Sequence, residues 1–415
     1  MTDRSIQYFR SLWGLLLAGI LLGSAAGARA EHFSGASLIY ECMGGNVYTV
    51  TLDLYLDCSG APNINQTLNF ANDCGTAFSL QNLAPTLVQE VSPLCPAQLG
   101  NSTCSGGSLP GFMLYRFEVV IFLSPCDSWN INWFVCCRNT MVNLANVPGT
   151  YVETTLNNAS GVCDDSPVFT DTGIPHVCVG ETILYNPGAS DPNGDIMSFA
   201  LIDARFGSPA PFPVLYAPGY SGAAPVPGIT IDPLTGQLSF TPTIAGNYVV
   251  VIEVTTFDAN GNVLGTVMRD LMFVVFPCDG SPPFTEGLSN ATNGVILSPF
   301  TLEICDGDVF CVDMVFVDPD PGSVITVVSN LATLLPGSNF SVVGSNPATV
   351  TMCWTADAAL MPVNVFLSAT DDTCPIGLTA STSVLFQAAE PPGTMPDPGL
   401  PGSIQTCAGA PPFEL

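Results

Sequence analysis

The sequence contains no lysine. Seven arginines and two histidines stand against 35 acidic residues in a chain of 415, a formal net charge of −28 at pH 7. So few cations exclude a phosphate backbone as partner, and with it nucleic acid. The same surface favours solubility and attracts divalent cations. Cys-x-x-Cys pairs are absent, and the two histidines are His32 and His176, so the sixteen cysteines do not read as zinc ligands. After the first thirty residues no stretch has the period of an amphipathic helix, and the apolar runs are broken by Thr, Ser, Asn or Gly. This excludes a helical bundle and a further membrane-spanning helix.

The first thirty residues form a basic start at Arg4 and Arg10, an apolar stretch from Leu12 to about Ala26, and Ala28-Arg29-Ala30 as a small-x-small cleavage site. That is the form of a secretory signal, and its removal makes the chain more acidic still. In an exported chain an even number of cysteines implies disulfides. The candidates are Cys42, Cys58, Cys74, Cys95, Cys104, Cys126, Cys136, Cys137, Cys163, Cys178, Cys278, Cys305, Cys311, Cys353 and Cys374, with Cys407 beyond them. The expected location is secreted or on the outer cell surface.

What is present in quantity is turn-punctuated β-sequence, with 39 Gly and 36 Pro. From Val47 to Leu56 apolar residues alternate with Thr49, Thr51 and Asp53, the pattern of a half-buried strand. Met113 to Leu123 is almost continuously apolar, and Trp129 to Val135 alternates again. Between them, Asn69 to Gly111 reads as loops stapled by Cys74, Cys95 and Cys104. The fold class is all-β.

A block recurs in the second half. Ile231 to Pro242 leads through Gly246 into an apolar run ending at Asp258, and Val350 to Ala356 leads through Val363 to Leu367 into Asp371-Asp372. Each copy follows an acidic Pro turn (Asp191 to Asp195; Asp318 to Gly322) and, before that, Cys-x-Gly-acid at Cys178 and Cys305. A third opening, Cys407-Ala408-Gly409, stands near the last residue. Such repeats read as tandem β-modules, which serve as binding or structural parts more often than as catalysts. Pro, Gly and Ser clusters set the expected divisions: 1–30 signal, 31–160 Cys-rich β-module, 165–278 and 284–388 β-sandwiches, and 389–415 a linker with the start of a further module.

The block from Asp232-Pro233-Leu234-Thr235-Gly236 through Gly246-Asn247-Tyr248 into Val249 to Val254 resembles the immunoglobulin-like and cadherin-like repeats of bacterial surface proteins. The first module resembles another group. His32-Phe33-Ser34-Gly35, Ile39 to Tyr48, Tyr55-Leu56-Asp57-Cys58 and Cys136-Cys137-Arg138-Asn139 are similar to the amino-terminal module of large Bacteroidota-type surface proteins. Those proteins often end in a gliding-motility-associated sorting domain. Together the resemblances imply tandem immunoglobulin-like or cadherin-like sandwiches, disulfide-braced, on a cell surface.

The acidic turns are the candidate metal ligands: Asp191, Asn193 and Asp195; Asp258 and Asn260; Asp318 and Asp320; Asp371 and Asp372. Alternating oxygen-bearing side chains on a tight turn can wrap Ca²⁺, which takes six to eight oxygens. The competing reading is that Asp and Asn cap their own turns. For Cys136 and Cys137, side-chain alternation along a strand favours separate partners over a bond to each other. Arg138 is expected in a structural ion pair. Neither His32 nor His176 sits on a nucleophile elbow, and no pair of carboxylates is singled out, so no catalytic role is expected. The expected function is an extracellular structural and adhesive protein, Ca²⁺-rigidified, whose partner is a surface polysaccharide, another cell-surface protein or itself. The alternative is a carbohydrate-binding accessory module using Trp129, Trp133, Tyr216 and Tyr220.

Overall fold

A computed structural model describes residues 32–60, 65–207 and 211–389. The expected signal segment, the Pro/Gly linker from residue 390 and Cys407 lie outside the described residues. Strands dominate; the α-helix among the described residues is the four-residue Leu331–Leu334. The all-β, disulfide-braced sandwich class expected from the sequence is the class observed.

The main sheet has fourteen strands. Its path runs Ala77–Leu83, Gln66–Asn72, Trp129–Val135, Thr150–Leu156, Val263–Phe276, Phe33–Gly44, Val47–Asp57, Phe112–Phe122, Leu87–Glu90. The inner faces enclose one core. Tyr48, Val50, Leu52 and Leu54 meet Trp129, Ile131 and Trp133 there, all essentially inaccessible. The tryptophans are therefore core, and the aromatic platform that a carbohydrate-binding face needs does not include them. Two strands and part of a third occupy the Asn69–Gly111 region expected to be loops. Phe70 and Phe78, stacked at 4.9 Å, bring the apolar side of a short hairpin onto Trp129, and Leu87–Glu90 pairs with Phe112–Phe122.

The division expected near Asn157 to Pro175 separates stretches of chain but not sheets. Val263–Phe276 pairs with Gly246–Phe257 on one side over its whole length, and on the other with Phe33–Gly44 (Ala36 opposite Asp270) and Thr150–Leu156. Its two faces are both covered. Leu271, Phe273 and Val275 enter the middle core with Tyr248, Val250 and Ile252. Met268 and Met272 enter a further core with Tyr55, Phe112, Val249 and Val251. Strands buried on both faces carry continuous apolar runs, which accounts for the Val249-Val250-Val251-Ile252 sequence. It also explains why the alternation of Val47–Asp57 lapses at Asp53 and Tyr55, both buried.

The last unit is a separate sandwich. One sheet has the order Phe284–Thr292, Val309–Val317, Ala348–Thr355, Asn339–Val343; the other has Gly294–Ser298, Thr301–Ile304, Thr379–Ala388, Val363–Thr370, Thr326–Ser329. Phe310, Met314, Val350, Trp354, Val365 and Phe386 fill the space between.

Seven disulfides join described cysteines: Cys42–Cys163, Cys58–Cys104, Cys74–Cys126, Cys95–Cys374, Cys136–Cys137, Cys178–Cys278 and Cys311–Cys353. Cys305 is disulfide-bonded as well. Cys136 and Cys137 bond to each other, which corrects the expectation of separate partners. The strand ends at Val135, so the rule that neighbours point to opposite faces does not reach them.

Candidate functional site

The acidic turns are held by backbone amides, their own or those of a neighbouring segment. Asp191 Oδ1 accepts from the amides of Asn193 (2.9 Å) and Asp195 (3.1 Å). Asp258 Oδ1 accepts from Asn260 and Asn262, both at 2.8 Å, and Asn262 Nδ2 donates to Oδ2, so these hydrogen bonds hold the Asp258 carboxyl below its ordinary value. Asp318 Oδ1 accepts from the Asp320 amide at 2.7 Å, and Asp320 Oδ2 from that of Ser281 at 2.7 Å. Asp371 Oδ1 accepts from Thr373 and Leu378, and Asp372 Oδ1 from Val324. The capping role of Asp accounts for most of these oxygens.

The structure brings some of the nine residues together. Asp318 lies in the field of Asp320 and Asp371, and burial pushes its carboxyl up. Asp191 and Asp195 meet two residues that sequence reasoning missed, Asp164 and Asp165. The missed signal was the Asp164-Asp165 pair directly after Cys163, in a stretch read as linker. Asp165 Oδ1 accepts from the Cys42 amide at 2.6 Å, and the Asp165 amide donates to Asn193 Oδ1 at 2.7 Å. The 191–195 turn is thereby fastened to the first strand. Asp164 is buried, with Tyr40 Oη 3.5 Å from its Oδ2. Burial, a hydrogen bond with Asp195 and repulsion from Asp195, Asp191 and Asp165 push its carboxyl up to about 8. Burial pushes that of Asp191 up to about 6. Asp258 and Asn260 stand apart as an exposed capped turn.

The nine expected residues do not close into a cage. Among the described residues, the group of three His, Cys, Asp or Glu ligand atoms lying within 4.8 Å of one another is Asp73, Cys74 and Cys126. Its two sulfurs share one disulfide, which leaves no thiolate for a metal.

The buried charges are structural. Arg138 forms a bidentate pair with Asp270 (2.6 and 2.5 Å) while its Nε donates to the Gly149 carbonyl, as the ion-pair expectation had it. Both side chains are at most 2% exposed. Arg269 is fully buried; it donates to the carbonyls of Pro187 and Asp171 and lies 4.6 Å from the Phe169 ring centre. His176 Nδ1 sits 2.8 Å from the Ile174 carbonyl, and burial lowers its imidazole to about 4, so it stays neutral. His32 Nδ1 is 3.3 Å from Ser59 Oγ on the surface, but Asp57 spends Oδ1 on the Ser59 amide, not on the imidazole.

The third unit is held to the others by an uncharged polar junction. Asn186 donates its amide to Ser381 Oγ (2.9 Å), accepts from Ser383 Oγ on Oδ1 (2.9 Å) and donates Nδ2 to the Thr235 carbonyl. Gln237 Nε2 reaches the Ser381 carbonyl at 3.1 Å, and Asn364 Nδ2 that of Leu234 at 3.1 Å. Gly188, at φ +65°, packs where a Cβ would come within 2.8 Å of the Phe366 ring. Cys95–Cys374 straps the other side, and the Cys95 amide donates to the Pro375 carbonyl at 2.9 Å.

No model of a known protein family matches the chain. No curated protein matches it either. Among solved structures it is similar to the N-terminal eight Ig domains of Down Syndrome Cell Adhesion Molecule (DSCAM) isoform 1.30.30, at 9% identity over 86% of this chain and 37% of that one, with a TM-score of 0.18. It is similar to Dpr2 Ig1-Ig2 in complex with DIP-Theta Ig1-Ig3, at 9% identity over 82% and 94%, TM-score 0.18. It is also similar to the endo-fucoidan hydrolase MfFcnA4 from glycoside hydrolase family 107, at 13% identity over 74% and 39%, TM-score 0.17. At such scores these likenesses carry no argument about what the chain does.

Proposed function

We propose that this chain is an exported, non-catalytic structural and adhesive protein that acts as a rigid mount at a cell surface and contacts other surface proteins or copies of itself. One observation carries the reading: the units are fastened to each other at two junctions, by a shared sheet between the first two and by the Asn186 network with Cys95–Cys374 at the third. Rigid mounting costs less conformational entropy when a surface is engaged than jointed modules would. The many disulfides fit an oxidising, extracellular setting. The Bacteroidota-type resemblance of the first module belongs to the same reading.

Calcium enters it at the Asp164, Asp191 and Asp195 cluster, whose carboxylates would have to draw closer than they stand to share one divalent cation in place of the proton they retain. The accessory glycan-binding alternative is weakened by the burial of Trp129 and Trp133, and by Tyr216 spending its hydroxyl on the Ala204 amide. The test is adhesion itself. Beads carrying the full chain are expected to cluster or to bind cells of the producing organism; beads that do neither, with selective binding on a glycan array, would replace this reading with the accessory module.

A further inference from the structure

The two sides of the last sandwich are built differently. On one, Phe284–Thr292 and Gly294–Ser298 form the outer strands. Their pairing is interrupted by register shifts, Asn290, Asn293 and Gly287 take positive φ, and exposed Glu286 adds a charge. Bulges and charges are how an open edge is kept from pairing with another chain. On the other side, Asn339–Val343 pairs with Ala348–Thr355, and Thr326–Ser329 with Val363–Thr370, without any register shift. The two outer strands lie together, joined by the Ile325 amide donating to the Ser345 carbonyl at 2.8 Å.

Along its strands this second side carries no such protection, the nearest charge being Asp372 at one end, on the Val324 amide. From Pro321 through Ala356, which includes both strands, there is no charged residue, in a chain of net charge −28. Neither strand contains proline. Val343 is 69% exposed and Val328 56%. The apolar surface at Val120 and Phe122 differs, because exposed Glu118 and Glu41 stand beside it. Like charges approaching across an interface cost energy. A second anionic copy therefore meets less repulsion along these uncharged strands than at Val120 and Phe122.

We propose that the edge formed by Asn339–Val343 and Thr326–Ser329 docks a second copy of this chain, Asn339–Val343 pairing antiparallel with its counterpart about a two-fold axis. The proposal rests on the adhesive reading above and names its partner. Pairing would satisfy the outward backbone groups of both strands and extend a four-stranded sheet across two molecules. A two-fold contact is closed, so association stops at dimers. The contact is small, which puts the complex in the weak class. Repulsion between the remaining surfaces acts against it, so added salt strengthens association.

Sedimentation equilibrium of the full chain from about 10 µM to about 1 mM tests this. A reversible dimer is expected, tightening between about 0.05 M and about 0.5 M NaCl. Val343→Lys, at a highly exposed position, is expected to weaken it by about tenfold or more. Ser341→Lys on the same strand should do likewise, and Val120→Lys should leave it unchanged, each with an unaltered thermal melt. A chain that stays monomeric at about 1 mM, a dimer that weakens with salt, or Val343→Lys and Ser341→Lys both dimerising like the parent would each overturn the proposal. Monomeric chain on beads that nevertheless bind cells would sink the self-docking and leave the adhesive reading. Dimers through this edge with beads that never adhere would do the reverse.

Discussion

The two junctions of this molecule use opposite chemistry. Between the first and middle units the backbone ladder is continuous: Val263–Phe276 belongs to both, its faces are apolar, and a buried ion pair sits at the seam. Between the middle and third units no strand is shared among the described residues, and short uncharged side chains hydrogen-bond across a buried plane, while the Cys95–Cys374 strap ties the third unit to the first. A shared strand cannot leave one core without leaving the other, so the first junction couples the cores. The second can open with both sandwiches intact. The first two units are therefore expected to unfold in one transition and the third in its own.

The largest effect is expected at the seam. Asp270→Ala leaves Arg138 as an unpaired cation at a site almost without solvent, a change that costs about 3–5 kcal/mol. Denaturant unfolding followed by circular dichroism should show the transition of the first two units moving and that of the third staying. The double change Arg138→Met with Asp270→Leu should recover most of the loss, because a buried pair is expensive to desolvate and apolar substitutes of similar volume avoid that cost. Failure of the double variant to recover would mean that the pair specifies the sheet register and does not merely compensate its own burial.

The strap comes next. Replacing both Cys95 and Cys374 by Ser should lower stability by roughly 2–4 kcal/mol, in the third-unit transition alone. If calorimetry shows the first transition falling equally, the two junctions are not independent and the comparison fails. Ser383→Ala is a smaller probe of the same plane. It removes one of two donors to Asn186 Oδ1, the Gly188 amide keeping the other, so about 0.5–1.5 kcal/mol is expected. Hydrogen exchange should report it as faster opening of Thr379–Ala388 and not of Val263–Phe276.

The sequence made the elements legible far better than their partners. Val47 to Leu56 and Trp129 to Val135 are strands because alternation is local, and the Asp232 to Gly236 turn is a hairpin because Asp232 caps Leu234 and Thr235 while Gly236 takes φ +72°. Which strands pair is not local. Nothing in the sequence around Ala36 announces Asp270 opposite it. The clue lay in composition: two-sided burial leaves a continuous Val-Val-Val-Ile run, and buried seams leave isolated Arg residues in an acidic chain. Cys136-Cys137 misled because the strand stops one residue before the pair. The acidic turns were placed correctly as turns, whereas the convergence of Asp164 on Asp191 and Asp195 depends on docking the 163–165 segment against a turn of the middle unit.

That convergence gives the last prediction, one that probes the first junction electrostatically. Burial, the Asp195 hydrogen bond and three neighbouring carboxylates raise the Asp164 carboxyl to about 8 in the folded chain, against about 3.9 for an unfolded aspartate. A raised folded value means that the native state holds the proton more tightly than the unfolded state. Its contribution is favourable below the unfolded value and is lost as pH rises towards the folded one. The melting temperature should therefore decline from about pH 4 to about pH 8 on account of this group, and Asp164→Asn, which cannot ionise, should flatten that decline. Ca²⁺ added at the upper end should restore part of the loss and a chelator should remove it again. An unchanged pH slope in Asp164→Asn would show that the carboxyl is ordinary in the folded chain. A flattened slope in Asp164→Asn with no Ca²⁺ response in the parent chain would leave the proton as the cluster's sole occupant, and the seam would then be weakened by alkali with no cation to relieve it.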